Sequence, residues 1–66
     1  MRIQLNGQPH ELPDGTTLAA LVDDLGLTGK RYAVEIDGEL VPRSEHPRRV
    51  LQEGERVEVV QAIGGG

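Results

Sequence analysis

Polar and apolar positions alternate in three stretches of the chain, and this alternation is typical of β-strands with one buried face. The stretches are residues 2–6, 32–36 and 56–63. The third, Arg-Val-Glu-Val-Val-Gln-Ala-Ile, is rich in β-branched residues, which favour strands, and is the strongest strand prediction in the chain.

Two dipeptides predict tight hairpin turns after the first two alternating stretches. Asn6-Gly7 and Asp37-Gly38 combine residues that tolerate positive φ, as two-residue hairpin loops require. Each turn predicts a return strand, over residues 8–12 and residues 40–41.

A helix is predicted between the two hairpins. Apolar residues recur there at i, i+3, i+4 and i+7, at Leu18, Leu21, Val22 and Leu25. Thr16 is the predicted N-cap, and Gly26 is expected to end the helix in the left-handed conformation. The order strand, strand, helix, strand, strand, strand predicts a two-layer α+β domain over residues 1–63, with the helix across one face of the sheet.

Composition argues against a catalytic pocket. A chain of 66 residues buries only about 60% of its unfolded surface, which leaves one small core and little room for a deep cleft. Cysteine is absent, so neither a disulfide nor a thiolate nucleophile is available. Tyr32 is the only aromatic residue, so the core must be aliphatic.

The charge argues against nucleic acid and membrane partners. The net charge is −4, whereas nucleic-acid binding needs a basic face to neutralise phosphates. No apolar run approaches the roughly 20 residues of a membrane span. Because Met1 leads directly into a strand-like segment without a signal peptide, we expect a cytoplasmic protein.

Other polar residues form no recognisable catalytic or metal pattern. His10 and His46 lack the spacing of a zinc site and are interpreted as ordinary surface or half-buried residues. Ser44 and His46 do not make a triad. The basic cluster of Arg43, Arg48 and Arg49 is interpreted as a solvated loop.

The segment with chemical content is the terminal run Gly64-Gly65-Gly66. One interpretation is a frayed terminus, and disorder is expected beyond Ile63. The other is functional, because the glycines follow a strong strand and place a carboxylate on a slim stalk. Three extended residues reach about 10 Å, enough to thread the carboxylate into a partner's active site. A carboxylate is a poor electrophile and needs activation there, for example by ATP.

These features together resemble the ThiS family of sulfur carriers, which have a ubiquitin-like β-grasp fold with a mixed sheet. The resemblance covers essentially the whole chain. It includes the opening strand with Asn6-Gly7, the helix face, the segment 41–43 (Val-Pro-Arg), and residues 53–66 up to the terminal glycines. Asp37-Gly38 departs from the Asn-Gly of many relatives, and either residue makes the turn.

The resemblance implies a cycle in thiamine (thiazole) biosynthesis. A separate E1-like adenylating enzyme of ThiF type activates the Gly66 carboxylate with ATP, and a sulfur relay fed by a cysteine desulfurase converts it to a thiocarboxylate. The thiocarboxylate donates its sulfur to a thiazole synthase of ThiG type. Gly65 and Gly64 would give access to the partners' active sites. The chain itself would be no enzyme, bind no cofactor or metal, and be a monomer when free.

Strand alternation also predicts a docking surface. If Val57 and Val59 face the core, neighbouring positions face the side of the sheet without the helix. The predicted docking residues are Ile63, Val60, Glu58 and Glu55. Glu53, Glu55 and Glu58 would attract a basic partner. Val60 could instead be a singly exposed strand former.

Two other functions stay open at this point. The sulfur acceptor could be different, as in molybdopterin-type carriers. The chain could also be a β-grasp interaction module with an inert tail, in which case removing Gly65 and Gly66 would change nothing.

Overall fold

A mixed five-stranded sheet dominates residues 1–62, the part of the chain that the computed structural model describes. In chain order the elements are β1 Arg2–Leu5, β2 Gln8–Glu11, α1 Leu18–Asp24, β3 Tyr32–Ile36, β4 Glu39–Leu40, a 3-10 turn at Arg43–Glu45, and β5 Arg56–Gln61. The strand order is β2-β1-β5-β3-β4. β1 and β5 run parallel, and the other pairs are antiparallel. The predicted α+β class, mixed sheet and order of elements along the chain are confirmed.

Both predicted hairpin turns form, and each one also holds β5. Asn6 and Asp37 each have φ of 50°, and the glycine that follows each has φ of 80° or more. The backbone N–H of Val59 donates to Asn6 Oδ1 at 2.8 Å, and that of Arg56 donates to Asp37 Oδ1 at 2.9 Å. The two turns therefore satisfy backbone donors of the last strand besides reversing the chain.

The core lies between α1 and one face of the sheet. Its fully buried side chains, each less than 2% exposed, are Ile3, Leu18, Leu21, Val34, Leu51 and Val57. All are aliphatic, as the composition requires. Pro9 lies in the edge strand β2, where its missing N–H costs no sheet hydrogen bond.

The start of the helix differs from the prediction by one residue. Thr17 is the N-cap, with its Oγ1 accepting from the N–H of Ala20 at 3.2 Å. Thr16 instead donates its hydroxyl to the carbonyl of Pro13 at 2.6 Å, which closes the preceding turn. Leu25 is the C-cap and is 37% exposed, so the buried stripe is one residue shorter than predicted. Gly26, with φ of 75°, ends the helix as predicted.

The later strands are also slightly displaced. β4 covers Glu39–Leu40, one residue before the predicted return strand. Val41 lies beyond it and still donates its N–H to the carbonyl of Val34 at 2.9 Å. β5 ends at Gln61, two residues before the predicted end. The predicted domain boundary at residue 63 and the glycine run at 64–66 lie outside the described residues.

Candidate functional site

Strand alternation leaves one face of the sheet without a covering layer. Buried Val34 and Ile36 turn toward the helix, so Ala33 and Glu35 of β3 turn away from it. In β5 the same alternation turns Glu58 and Val60 away, because Val57 is buried and Val59 packs against the core. Leu40 is paired with Glu35 and shares its side of the sheet. We call these five residues, Ala33, Glu35, Leu40, Glu58 and Val60, the open face.

Two large apolar side chains are exposed on the open face. Val60 is 64% exposed and Leu40 65% exposed. Val60 is paired with Ala33, so an apolar stripe crosses from β5 to β3 near the end of β5. The prediction that Glu58 and Val60 lie on the helix-free side is confirmed.

Two carboxylates share the middle of the open face. Glu35 and Glu58 are direct cross-strand partners, which puts their Cβ atoms about 5 Å apart. Like charges in this position are destabilising, so the sheet gains nothing in stability from this pair. Ala33, Glu35 and Leu40 are the members that sequence reasoning missed. Their alternation was visible, but the pairing of β3 with β5 is a long-range contact with no local signal.

Glu55 does not belong to the open face, and its carboxylate is engaged within the chain; its docking role stays a prediction. Its side chain is only 12% exposed and forms an ion pair with Arg49 at 2.5 Å. The backbone N–H of Gln52 also donates to it, at 2.7 Å. Glu53 is exposed and accepts from the N–H of Arg2 at 2.9 Å, before the start of β5. Of the three predicted steering acids, only Glu58 lies on the open face.

Strand pairing and a hydrogen bond hold the chain at the point where it leaves the sheet. Gln61, the last residue of β5, is paired with Tyr32, and the N–H of Ala62 donates to the carbonyl of Arg31 at 3.1 Å. The segment beyond therefore starts from the central strand of the sheet. The predicted reactive and access residues Gly66, Gly65 and Gly64, and the predicted docking residue Ile63, lie outside the described residues.

An arginine lies beside this exit point. The guanidinium carbon of Arg43 is 4.2 Å from the ring centroid of Tyr32, a cation–π distance. Its Nη2 also donates to the carbonyl of Tyr32 at 3.2 Å. We call Arg31, Tyr32, Arg43, Gln61 and Ala62 the tail root.

The predicted solvated basic loop is wrong for Arg49, which is partly buried and ion-paired, whereas Arg43 is exposed but also contacts Tyr32. Arg43 is held by Tyr32, and Arg49 binds Glu55 and the carbonyl of Val50. Arg48 is exposed, as predicted. Spacing in the sequence could not show these contacts, because Tyr32 belongs to another element and the loop that joins Arg49 to Glu55 is irregular.

His46 is a buried structural residue, which contradicts the surface or half-buried interpretation. It is 4% exposed, and its Nε2 lies 3.1 Å from the carbonyl of Val41. Its own carbonyl accepts from the N–H of Ala19, which joins the loop to the first turn of α1. Within residues 1–62, no three His, Asp or Glu side chains are grouped so that they could hold a metal ion. No helix in the same range is long and apolar enough to span a membrane.

Comparison with known families gives one match that covers nearly the whole chain. The sequence model described as the ThiS family matches residues 3–66. The sulfur carrier protein ThiS of Thermus thermophilus is 38% identical, over 97% of this chain and 98% of that protein. A thiazole synthase of Magnetococcus marinus is 46% identical over all 66 residues.

The match to thiazole synthases covers only part of those proteins. This chain spans 20% of the length of the synthase from M. marinus, and the same share of one from Paramagnetospirillum magneticum. Among solved structures, the crystal structure of a thiamine biosynthesis protein (ThiS) from Geobacter metallireducens superposes with a TM-score of 0.83. Identity to it is 25%, and the superposition covers both chains completely. The expected ubiquitin-like β-grasp architecture is thereby confirmed.

Proposed function

Because the chain belongs to the ThiS family, we propose that it is a sulfur carrier protein of thiamine biosynthesis whose reactive group is the carboxylate of Gly66. The observation that carries this proposal is the family match over residues 3–66, which includes the terminal glycines. The exit of the chain from the central strand supports it, because a rigid base positions whatever follows.

The proposed chemistry needs no catalytic group from the carrier. The carboxylate oxygen of Gly66 attacks the α-phosphorus of ATP on the adenylating enzyme, and pyrophosphate leaves. The terminal sulfur of a persulfide on the relay then attacks the acyl carbon, and AMP leaves as the acyl–oxygen bond breaks, which gives an acyl disulfide. A thiol of the partner attacks the other sulfur of this disulfide, so that a new disulfide forms on the partner and the thiocarboxylate is released. The thiocarboxylate passes its sulfur to thiazole synthase, and the carrier returns as a carboxylate. ATP and the sulfur relay belong to the partners, and the carrier is proposed to act in the cytoplasm as a free monomer.

Gly64 and Gly65 are proposed to make the stalk narrow enough for a buried active site. The four residues 63–66, fully extended, span about 13 Å from the sheet. That distance lets the carboxylate enter a channel while the folded domain stays outside. Glycine is suited to this because it has no side chain to clash with the channel wall.

The open face is proposed as the surface that docks on these partners. Its apolar stripe supplies area to bury, and Glu35 and Glu58 supply charge that attracts a basic rim. Ile63, outside the described residues, stays a proposed member of this surface. Thiazole synthase is supported as one partner by the synthases that contain a segment similar to this chain. The E1-like adenylating enzyme and the cysteine desulfurase follow from the family resemblance.

The decisive experiment is the intact mass of the carrier after incubation with ATP, the adenylating enzyme and a sulfur source. We expect a gain equal to the replacement of one oxygen by sulfur in the wild type, and none after deletion of Gly66. Far-UV circular dichroism of the deletion variant, expected to equal that of the wild type, checks the fold. If the wild type gains no sulfur from an enzyme proven on another carrier, an interaction module with an inert tail becomes the better function.

A matched pair of variants tests the docking surface in the same assay. Glu58→Lys reverses a charge on the open face, whereas Glu53→Lys makes the same change before the start of β5. We expect the first to raise the KM for the carrier ~10-fold and the second to change it less than about twofold, because electrostatic complementarity acts at the contact. Equal effects of the two variants would contradict docking through the open face.

A further inference from the structure

Within residues 1–62, the arginine of the tail root that stacks on Tyr32 forms no ion pair. Arg2 and Arg49 form ion pairs with Glu11 and Glu55. Arg43 takes part in none of the ion pairs that form within residues 1–62, although it is exposed. An arginine that is held in place but has no acid to neutralise it is a candidate for recognition.

The Tyr32 ring and carbonyl fix the position of this guanidinium. Stacking at 4.2 Å and the Nη2 hydrogen bond at 3.2 Å hold the planar group at the edge of the sheet. A guanidinium has five N–H donors, and this hydrogen bond uses one of them. Because the side chain is already ordered, a partner that binds it loses less conformational entropy than it would with a free arginine.

The position matters because Tyr32 is paired with Gln61, the last residue of β5. The guanidinium therefore lies next to the point where the chain leaves the sheet. Lys30 and Arg31, also exposed, adjoin this point and make the tail root positive. By strand alternation Tyr32 shares the helix side of the sheet with Val34 and Ile36, so this positive region and the Glu35–Glu58 pair of the open face lie on opposite sides of the sheet. Such a pattern fixes the orientation of a docked partner.

We propose that Arg43 binds a carboxylate at the mouth of the channel through which the adenylating enzyme takes up the tail, an inference that rests on the proposed function. A phosphate of the bound nucleotide is too far away to be the anion. Residues 63–66 extended into the channel place the Gly66 carboxylate about 13 Å from the sheet, whereas Arg43 stays at the sheet edge. An aspartate or glutamate at the rim is within reach and matches the forked geometry of the guanidinium.

The test uses ATP–pyrophosphate exchange catalysed by the adenylating enzyme, with the intact carrier as the varied substrate. Arg43→Gln removes the charge from the tail root. Arg48→Gln removes the same charge from the adjoining loop, where it has no proposed contact. We expect Arg43→Gln to raise the KM for the carrier ~10-fold with kcat unchanged, and Arg48→Gln to change it less than about twofold.

Two further measurements separate recognition from a structural role. Arg43→Lys keeps the charge without the fork, and we expect it to recover part of the lost affinity. The KM difference between wild type and Arg43→Gln is expected to shrink in about 0.5 M salt, because screening weakens an exposed ion pair. The urea midpoints of the variants check that each one is folded.

Several outcomes would overturn the inference. Equal KM values for the Arg43→Gln and Arg48→Gln carriers would do so, as would a fall in kcat at unchanged KM. A salt-independent difference would assign Arg43 a structural role instead. A wild-type carrier that supports no exchange with a proven enzyme would contradict the proposed function itself, and the two failures are thereby distinguishable.

Discussion

The two faces of the sheet are built from the same strands and differ in burial and in side-chain chemistry. In β5, Val57 is fully buried under the helix, whereas Val60, three residues on, is 64% exposed on the open face. The covered face is entirely aliphatic at its centre, and the open face places two carboxylates between exposed apolar side chains. The buried core thus lies on one side of the sheet and the proposed docking surface on the other, and we expect substitutions to change stability or docking separately.

The largest expected effect is the loss of stability when a buried leucine is shortened, compared with the same change at an exposed leucine. Leu21 is fully buried in α1, whereas Leu40 on the open face is 65% exposed. Leu21→Ala is expected to lower the free energy of unfolding by about 3 kcal/mol, because it removes buried methyl groups and leaves a cavity. Leu40→Ala is expected to change it by less than about 0.5 kcal/mol.

Urea unfolding followed by circular dichroism measures both variants. A domain of this size has a total stability of roughly 3–10 kcal/mol, so Leu21→Ala is expected to remove between about a third and all of it. Similar unfolding midpoints for the two variants would show that the faces are not separated as described.

The next effect concerns the turn that ties β1 to β5. Asn6→Ala removes the oxygen that accepts from Val59 N–H and puts a less tolerant residue at φ of 50°. We expect a loss of about 2 kcal/mol in the free energy of unfolding. Asn6→Asp is the control, because Asp37 fulfils the same two requirements in the second hairpin.

The free energy of unfolding of the Asn6→Asp variant, measured by urea unfolding, should stay within about 0.5 kcal/mol of the wild-type value. If Asn6→Ala were equally harmless, the side-chain bond to β5 would have no role in stability, and the turn would act through its backbone alone.

The smallest expected effect is a gain in stability when one of the two carboxylates on the open face is neutralised. Glu58→Gln removes one of two paired carboxylates, and we expect a gain of about 0.3 kcal/mol in the free energy of unfolding. Glu39→Gln is the control, since Glu39 is paired with Ile36 and faces no carboxylate across the strand. Thermal unfolding at low salt measures the gain, which should vanish in about 1 M salt. A loss of stability on Glu58→Gln would contradict the repulsion between the two acids.

Local chemistry allowed much of the fold to be predicted. The positive φ of Asn6 and Asp37, the end of α1 at Gly26 and the strand character of β5 each depend on a few neighbouring residues. Errors of one residue, such as Thr16 in place of Thr17 at the helix start, arose because adjacent threonines compete for the same role.

What could not be predicted depends on contacts between distant parts of the chain. The burial of His46 involves Tyr32 and the first turn of α1, whereas the ion pair of Arg49 with Glu55 forms within an irregular loop that has no repeating pattern. Glu35 belongs to the candidate site because β3 pairs with β5, and no local sequence pattern shows that pairing. The tail root was missed for the same reason, since Arg43 and Tyr32 are brought together by the hairpin of β3 and β4 and the turn that follows it.

The central position of β5 also has a consequence for biosynthesis. β5 is the last described strand in the chain, yet it separates β1 from β3 and joins the two hairpins into one sheet. A nascent chain that stops before residue 56 has two unconnected hairpins and no closed core, so folding must wait until translation has passed Gln61. We therefore expect only chains synthesised as far as Gln61, just before the proposed reactive segment, to fold, and shorter products to stay unfolded and open to proteases.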